Sequence, residues 1–310
     1  MTTPTNQPTN QPTNHLARGL WGVLATPFTG PGLIVDEESL RREVSLFAGV
    51  PATGLVVLGV FGEGAALDTA EQRLVVRTVA AEAAGTPLVV GLSARSTAVA
   101  VEQAGTAVAA AGAHLAGLMV QVNSADPDVL SRHLAAVHEA TGAGIVVQDY
   151  PESSGVRITG AQLLATVRRC PFVVAVKSEA PPTAAAIADL VAGTSVPAFG
   201  GLGGVGLLDE LAAGAAGAMT GFSHPEGLRA ALTAWDEGGF RSAREAYAPW
   251  LPLVNFEAQP GVGLALRKEV LRRRGVFEEA AVRPPARALP PRLLDLMTSH
   301  LDAVGTGVSA

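Results

Sequence analysis

The chain has 310 residues, of which 48% are hydrophobic and 16% charged; a sizeable core is expected and global disorder is not. A formal net charge of -6 argues against nucleic acid or an anionic membrane as the main partner. The single cysteine, Cys170, excludes an internal disulfide framework and a cysteine-based zinc cluster. No apolar run reaches the roughly 18 residues of a membrane span, and the N-terminus lacks the basic and apolar regions of a secretory signal. The expectation is a cytoplasmic, enzyme-sized globule.

Residues 1–17 open with a repeated Pro-Thr-Asn-Gln pattern. Such a polar, proline-punctuated segment buries too little apolar area to offset its ordering entropy, so a disordered tail is expected. Leu20–Ala25 reads as the first strand, and Asp36-Glu37-Glu38-Ser39-Leu40 opens a helix with acidic residues at its N-terminus. Strands then follow at 54–58, Pro87–Leu92, Leu115–Val122, Gly144–Gln148, Phe172–Val176, Pro197–Gly200 and Ala216–Gly221. Helix-like, alanine-rich runs lie between them, among them Ala70–Ala84, Ala98–Ala111, Pro127–Thr141, Thr159–Arg169 and Thr183–Val191. Eight strand–helix units predict an α/β fold, a closed (β/α)8 TIM barrel over residues 18–235. Beyond it, residues 236–310 predict a C-terminal extension of three helices, Arg241–Leu253, Gly263–Arg274 and Arg292–Val304. The Arg272-Arg273-Arg274 run reads as a solvated face near a helix C-terminus, and Gly275 as its cap.

Chemistry in such a barrel sits at the C-terminal ends of the strands. Lys177 occupies that position on the sixth strand, after Phe172-Val173-Val174-Ala175-Val176 and before Pro181-Pro182. A lysine there either snorkels to solvent or serves as an amine nucleophile that forms a Schiff base with a carbonyl compound. The run Gly201-Leu202-Gly203-Gly204-Val205-Gly206 matches G-x-G-x-x-G. The acidic residue that a dinucleotide site needs about 20 positions on is offered only by Glu226, inside an expected helix start. The better explanation of the run is close approach of substrate to the backbone after strand seven.

Several segments together resemble the dihydrodipicolinate synthase / N-acetylneuraminate lyase family of class I aldolases and related dehydratases, from about Gly19 to the C-terminal helices. They are Thr26-Pro27-Phe28, Gly59-Val60-Phe61-Gly62-Glu63, Asp149-Tyr150-Pro151 with Gly155, Val176-Lys177, and Gly200-Gly201. The resemblance implies a Schiff base between Lys177 and the keto group of pyruvate or another 2-oxo acid. It also implies a homo-oligomer, dimer or tetramer. The departures are as informative. Two threonines that in the family serve the substrate carboxylate and a proton relay are replaced by Val60 and Phe61; hydratase-aldolases acting on aromatic pyruvates likewise carry a Phe at the second place. The family's proton-shuttling tyrosine aligns with Gln148, an amide that is neither acid nor base at neutral pH. The arginine of dihydrodipicolinate synthases aligns with Ser153. An aromatic pair that reaches a neighbouring subunit's site becomes Gln121 and Val122. Dihydrodipicolinate synthesis is therefore not expected.

Residues 148 and 150 share a strand face, so Tyr150, or alternatively Glu63, is the candidate for the missing proton carrier beside Lys177. Each has a plainer reading, Tyr150 as packing and Glu63 as a loop anchor. Candidate substrate-binding residues at the same end of the barrel are Thr26, Val60, Phe61, Arg95, Gln121, Gln148, Glu179, Gly201, Met219 and Thr220. Arg95 offers a planar fork for a carboxylate, and Glu179 is near enough to hold the Lys177 ammonium. Ser223 and His224 follow strand eight, whereas His133, His138 and His300 are expected on helix surfaces. No His/Asp/Glu spacing suggests a metal site, and no cofactor is expected. The function expected is a Schiff-base lyase or aldolase on a small 2-oxo acid, with C–C cleavage or condensation. The alternatives are a sugar-acid dehydratase on the same lysine and a barrel that has lost catalysis and binds a ligand or partner.

Overall fold

The computed structural model describes residues 15–305. Eight parallel strands close into a barrel: β1 (Gly19–Val23), β2 (Gly54–Val57), β3 (Leu88–Leu92), β4 (Leu115–Gln121), β5 (Ile145–Asp149), β6 (Val173–Ser178), β7 (Ala198–Gly200) and β8 (Gly217–Thr220). The last strand returns to the first through Gly19↔Gly217 to Gly22↔Thr220, which leaves no sheet edge. Between and after the strands run α1 (Glu37–Gly49), α2 (Thr69–Glu82), α3 (Thr97–Ala111), α4 (Pro127–Thr141), α5 (Gly160–Arg169), α6 (Thr183–Gly193), α7 (Leu207–Ala212) and α8 (Pro225–Tyr247). This is the expected (β/α)8 TIM barrel. A small antiparallel ribbon, Phe28–Thr29 with Ile34–Val35, interrupts the first unit.

Helix starts follow from capping chemistry. The Asp36 carboxylate accepts from the backbone N–H groups of Glu38 and Ser39 at the start of α1. Asp68 with Glu71, and Thr159 with Gln162, form reciprocal boxes at α2 and α5; losing such a cap costs about 1 kcal/mol. The strands alternate between two cores. Trp21, Val23, Val56, Val89, Met119, Val146, Ala175, Phe199 and Met219 fill the barrel. Leu20, Leu55, Val57, Val90, Leu118, Val147 and Val176 face the helices. Burial on both faces explains why the strands read as continuous apolar runs.

Three expectations need correction. Lys177 lies inside the β6 ladder, paired with Gln148 on one side and Phe199 on the other, so the strand runs two residues beyond Val176. The expected helix 241–253 is two pieces: α8 ends at Tyr247, and α9 (Leu251–Glu257) restarts with Pro252 in its first turn, where a missing N–H does no harm. Consequently the 235/236 boundary falls within α8, whose nearest break is a kink at Gly239 (φ 67°, ψ −155°). The other two C-terminal helices are α10 (Gly263–Arg273) and α11 (Leu294–Ala303). Gly275 (φ 71°) follows α10 in the expected left-handed conformation.

Of the stretch expected to be a disordered tail, residues 1–14 lie outside the described residues. At its end the structure differs from the expectation. Leu16 is buried in the interior cluster, and its N–H donates to Val174 O at 3.1 Å. A single leucine in a polar stretch carries no periodicity that would have marked it. Leu16→Ala is expected to destabilise the barrel by about 2–3 kcal/mol, read as a lower midpoint in urea at unchanged slope.

Candidate active site

Strand β6 places Lys177 among the inward-facing side chains at the C-terminal end of the barrel, 5% exposed. Its Nζ lies 3.2 Å from Glu179 Oε2. Two further groups hold that carboxylate: Gln148 Nε2 donates to Oε2 at 2.7 Å, and Leu202 N donates to Oε1 at 3.2 Å. Gly201 is required by this arrangement, because a Cβ there would overlap the Glu179 carboxylate. Leu202 itself has a left-handed φ of 49°, a conformation that costs about 1 kcal/mol or more outside glycine. The amide at 148 therefore has a defined task, orienting a carboxylate.

Tyr150 follows β5 immediately beyond its ladder and is half-buried. Burial first, then the Glu179 and Glu152 carboxylates, push its phenol above the usual range, so it stays neutral at pH 7. Asp149 and Ser178, neighbours in the ladder, face outward. Burial, with Glu179 adding to it, raises Asp149 to about 6. Behind the site, burial lifts Glu210 to about 7, although the Thr183 hydroxyl donates to it at 2.8 Å.

The remaining candidates fall at several depths. Met219 is fully buried and forms part of the floor. Thr26 donates to Gly62 O at 2.6 Å, and Thr220 Oγ1 accepts from Gly203 N at 2.8 Å; both hydroxyls pin loops together. Gln121 Oε1 accepts from Ser153 Oγ at 3.2 Å. Arg95 is exposed at the rim, with its carbonyl accepting from Asn123 Nδ2 at 3.0 Å. Val60 is 40% exposed, whereas Phe61 packs onto the interior cluster.

Glu63 does not join the Lys177 group. Its carboxylate pairs with Lys268 Nζ and accepts from Arg283 N at 2.8 Å, tying the loop after β2 to the C-terminal extension. Arg283 extends the tie to Glu71 (2.5 Å) and Leu33 O (2.6 Å). Glu63 is thus an anchor, and its partners lie 205 and 220 residues away in sequence. His133 is buried rather than on a helix surface, with Nδ1 3.0 Å from Thr97 Oγ1. His224 is buried too, against Ser223 Oγ at 2.9 Å, and burial takes its pKa down to about 3. The arginine run is paired rather than simply solvated: Arg272 and Arg273 hold Glu269, and Arg274 binds Glu226. Among the described residues no group of three His, Cys, Asp or Glu side chains is placed to hold a metal ion.

Buried ionisable groups that the sequence did not reveal also lie at this end of the barrel, among them Arg267, Lys268, Glu43 and Glu257. Arg267 on α10 stacks its guanidinium 3.9 Å from the centroid of the Phe61 ring. Glu43 on α1 accepts from Ala25 N at 3.1 Å; burial drives it up to about 8 against the downward pull of that N–H, Arg267 and Lys268. The available signal was the run Ala265-Leu266-Arg267-Lys268-Glu269-Val270-Leu271, where charges sit inside a helix buried on nearly every side.

These features define a (β/α)8 barrel with a buried amine, paired to a carboxylate, at the C-terminal end of its sixth strand. The chain belongs to the Dihydrodipicolinate synthetase family, which it matches over residues 16–300. It is 32% identical to L-2-keto-3-deoxyarabonate dehydratase of Azospirillum brasilense over 88% of this chain and 90% of that protein. Identity to the 4-hydroxy-tetrahydrodipicolinate synthase of Kineococcus radiotolerans is 30%, over 91% of each chain. The crystal structure of dihydrodipicolinate synthase from Rhodopseudomonas palustris superposes with a TM-score of 0.86 at 28% identity, over 94% of this chain and 98% of that one.

Two outcomes test this description. Glu63→Ala strands the buried Lys268 ammonium, so a loss of about 3–5 kcal/mol is expected in chemical denaturation; a catalytic Glu63 would instead lower turnover at unchanged stability. Glu43 binds its proton up to about pH 8 in the folded chain against an ordinary value of 4.5, so the folded state holds the extra proton between those limits. Stability from this group is present at low pH and is lost as pH rises toward 8. Glu43→Gln is expected to flatten the fall in melting temperature between pH 5 and 9 relative to the parent chain.

Proposed function

We propose that this chain is a class I lyase in which Lys177 forms a Schiff base with a 2-oxo acid, and that its reaction dehydrates a 3-deoxy-2-keto sugar acid. The observation that carries the reading is the buried Lys177–Glu179 pair, with Gln148 holding the carboxylate at the position of the family's proton-shuttling tyrosine. The Lys177 amine adds to the C2 carbonyl, water leaves, and the resulting iminium acidifies the C3–H bond. Glu179, as carboxylate, takes a C3 proton and leaves an enamine. The enamine electron pair then expels the C4 hydroxyl, which receives that proton from Glu179 and departs as water. Hydrolysis of the conjugated iminium frees the amine. One carboxylate thus serves as base and then acid, and Tyr150, a neutral phenol beside it, donates to a substrate hydroxyl.

The sequence reading put C–C cleavage or condensation ahead of dehydration. Similarity to a keto-deoxy sugar acid dehydratase across nearly the whole chain favours the reverse order. Condensation as in the synthases fits less well, since Val60, Phe61, Gln148 and Ser153 stand where those enzymes carry two threonines, a tyrosine and an arginine.

Borohydride reduction with pyruvate, read by mass on the intact chain, is expected to add one adduct at Lys177 and none in Lys177→Arg. Glu179→Gln should still be trapped, while turnover of 2-keto-3-deoxyarabonate falls by roughly 10²–10⁴-fold. Absence of any adduct with pyruvate and other 2-oxo acids would leave the ligand-binding barrel as the reading. Adduct formation with full turnover in Glu179→Gln would remove Glu179 from the proton path.

A further inference from the structure

Arg267 is 2% exposed and uses only part of its guanidinium. Its Nε donates to Glu257 Oε2 at 3.4 Å. Nη1 and Nη2 are buried and have no hydrogen-bond partner among the described residues. A guanidinium carries five N–H donors, and leaving a charged donor buried and unpaired is among the costlier arrangements a fold can retain. Neither nearby carboxyl completes it. Glu257 also accepts from the Ser223 hydroxyl and from Ser223 N (3.2 Å). Glu43 carries its proton at neutral pH and brings no charge.

The fold is shaped to keep this guanidinium at the mouth. The Phe61 ring, from the loop after β2, supports its face. Gly221 follows β8, and a Cβ there would overlap Nη1 at 2.6 Å; Gly203, after β7, is in ordinary van der Waals contact, its Cβ position 3.5 Å from Nη2. The loop Gly201–Gly203 therefore has Glu179 against its first residue and Arg267 against its last. The family resemblance gives positions 60 and 61 to threonines that serve the substrate carboxylate and a proton relay, and they are valine and phenylalanine here. Those hydroxyls are gone, and the ring at 61 instead carries an arginine with a free fork.

We propose that Arg267 is the carboxylate-binding residue of this site, its Nη1 and Nη2 donating in parallel to the 1-carboxylate of the 2-oxo acid in place of the family's threonine hydroxyls. The proposal rests on the Schiff-base reading for the identity of the ligand. A planar fork matches a carboxylate bidentately, and holding C1 fixes the C2 carbonyl for attack by the amine. Removing the fork raises the demand for 2-oxo acid and leaves the chemistry of carbonyls without a carboxylate untouched.

The experiment compares borohydride trapping of pyruvate with that of hydroxyacetone, which has the carbonyl but no carboxylate. Because Arg267→Met alone leaves Glu257 buried without its partner, the main variant is the double substitution Arg267→Met/Glu257→Gln; Arg267→Lys keeps the charge without the fork. The double variant is expected to need on the order of 100-fold more pyruvate for half-maximal trapping, with hydroxyacetone trapping unchanged. Arg267→Lys should need about 10-fold more. Calorimetry of pyruvate on Lys177→Ala, which cannot form the adduct, should show weaker binding when Arg267→Met/Glu257→Gln is added. Pyruvate trapping within about twofold of the parent in a folded double variant, or an equal loss for hydroxyacetone, would overturn the proposal. Pyruvate binding that depends on Arg267 without any adduct in the parent chain would sink the Schiff-base reading and leave the anion site standing.

Discussion

Lys177 and Glu179 lie 3.2 Å apart and almost wholly out of water, and much of the architecture around the barrel mouth keeps them together. Neither charge is stable there alone, since desolvation of an isolated ion costs several kcal/mol. The carboxylate needs partners for its other lone pairs, and Gln148 and Leu202 N provide them. The place of this carboxylate against the loop requires a glycine at 201. The glycine-rich loop after β7 is therefore cut to fit a carboxylate of the protein itself, which accounts for the glycine at 201 in a motif that resembles a nucleotide loop.

The same constraint organises the C-terminal extension. Helix α10 delivers two adjacent cations to the barrel's C-terminal end, about 100° apart around the helix, and each meets a carboxylate. Lys268 pairs with Glu63 from the loop after β2, and Arg267 pairs with Glu257 from α9. Such pairs contribute little net stability over an apolar core but tolerate no loss of a partner. They define where the extension docks. Arg283 repeats the arrangement over Phe28, binding Glu71 and the carbonyls of Leu33 and Ala66. The extension is part of the wall around the site rather than an appendage.

The legibility of the sequence follows from the range of each interaction. Buried strands and helix starts are local, so the eight units and the position of Lys177 on the sixth could be read from apolar and alanine-rich runs and from the acidic helix start at Asp36. Glu63 was misread because its partners come from another part of the chain, and no local pattern distinguishes an anchored carboxylate from a catalytic one. Leu16 and His133 were missed for the opposite reason, being single residues whose burial is decided by tertiary neighbours, the barrel interior for Leu16 and helix α3 for His133. Arg267 combines both difficulties: it sits in a charged run that reads as surface, and only tertiary packing puts that run inside.

Phe61 ties these observations together. Replacing a hydroxyl by a phenyl ring removes a donor to an anion, and an apolar mouth by itself repels a carboxylate. The ring, however, offers a face that a guanidinium can stack on, and a stacked guanidinium keeps its outer edge free for a planar acceptor. An arginine brought in from α10 reaches that face only if residue 221 carries no side chain, since a Cβ there would lie 2.6 Å from Nη1, and residue 221 is glycine. The loss of the hydroxyls, the aromatic ring, the buried arginine and Gly221 thus form one linked change. Each is destabilising or without purpose alone, and together they move recognition of the substrate anion from the loop after β2 to the C-terminal helix.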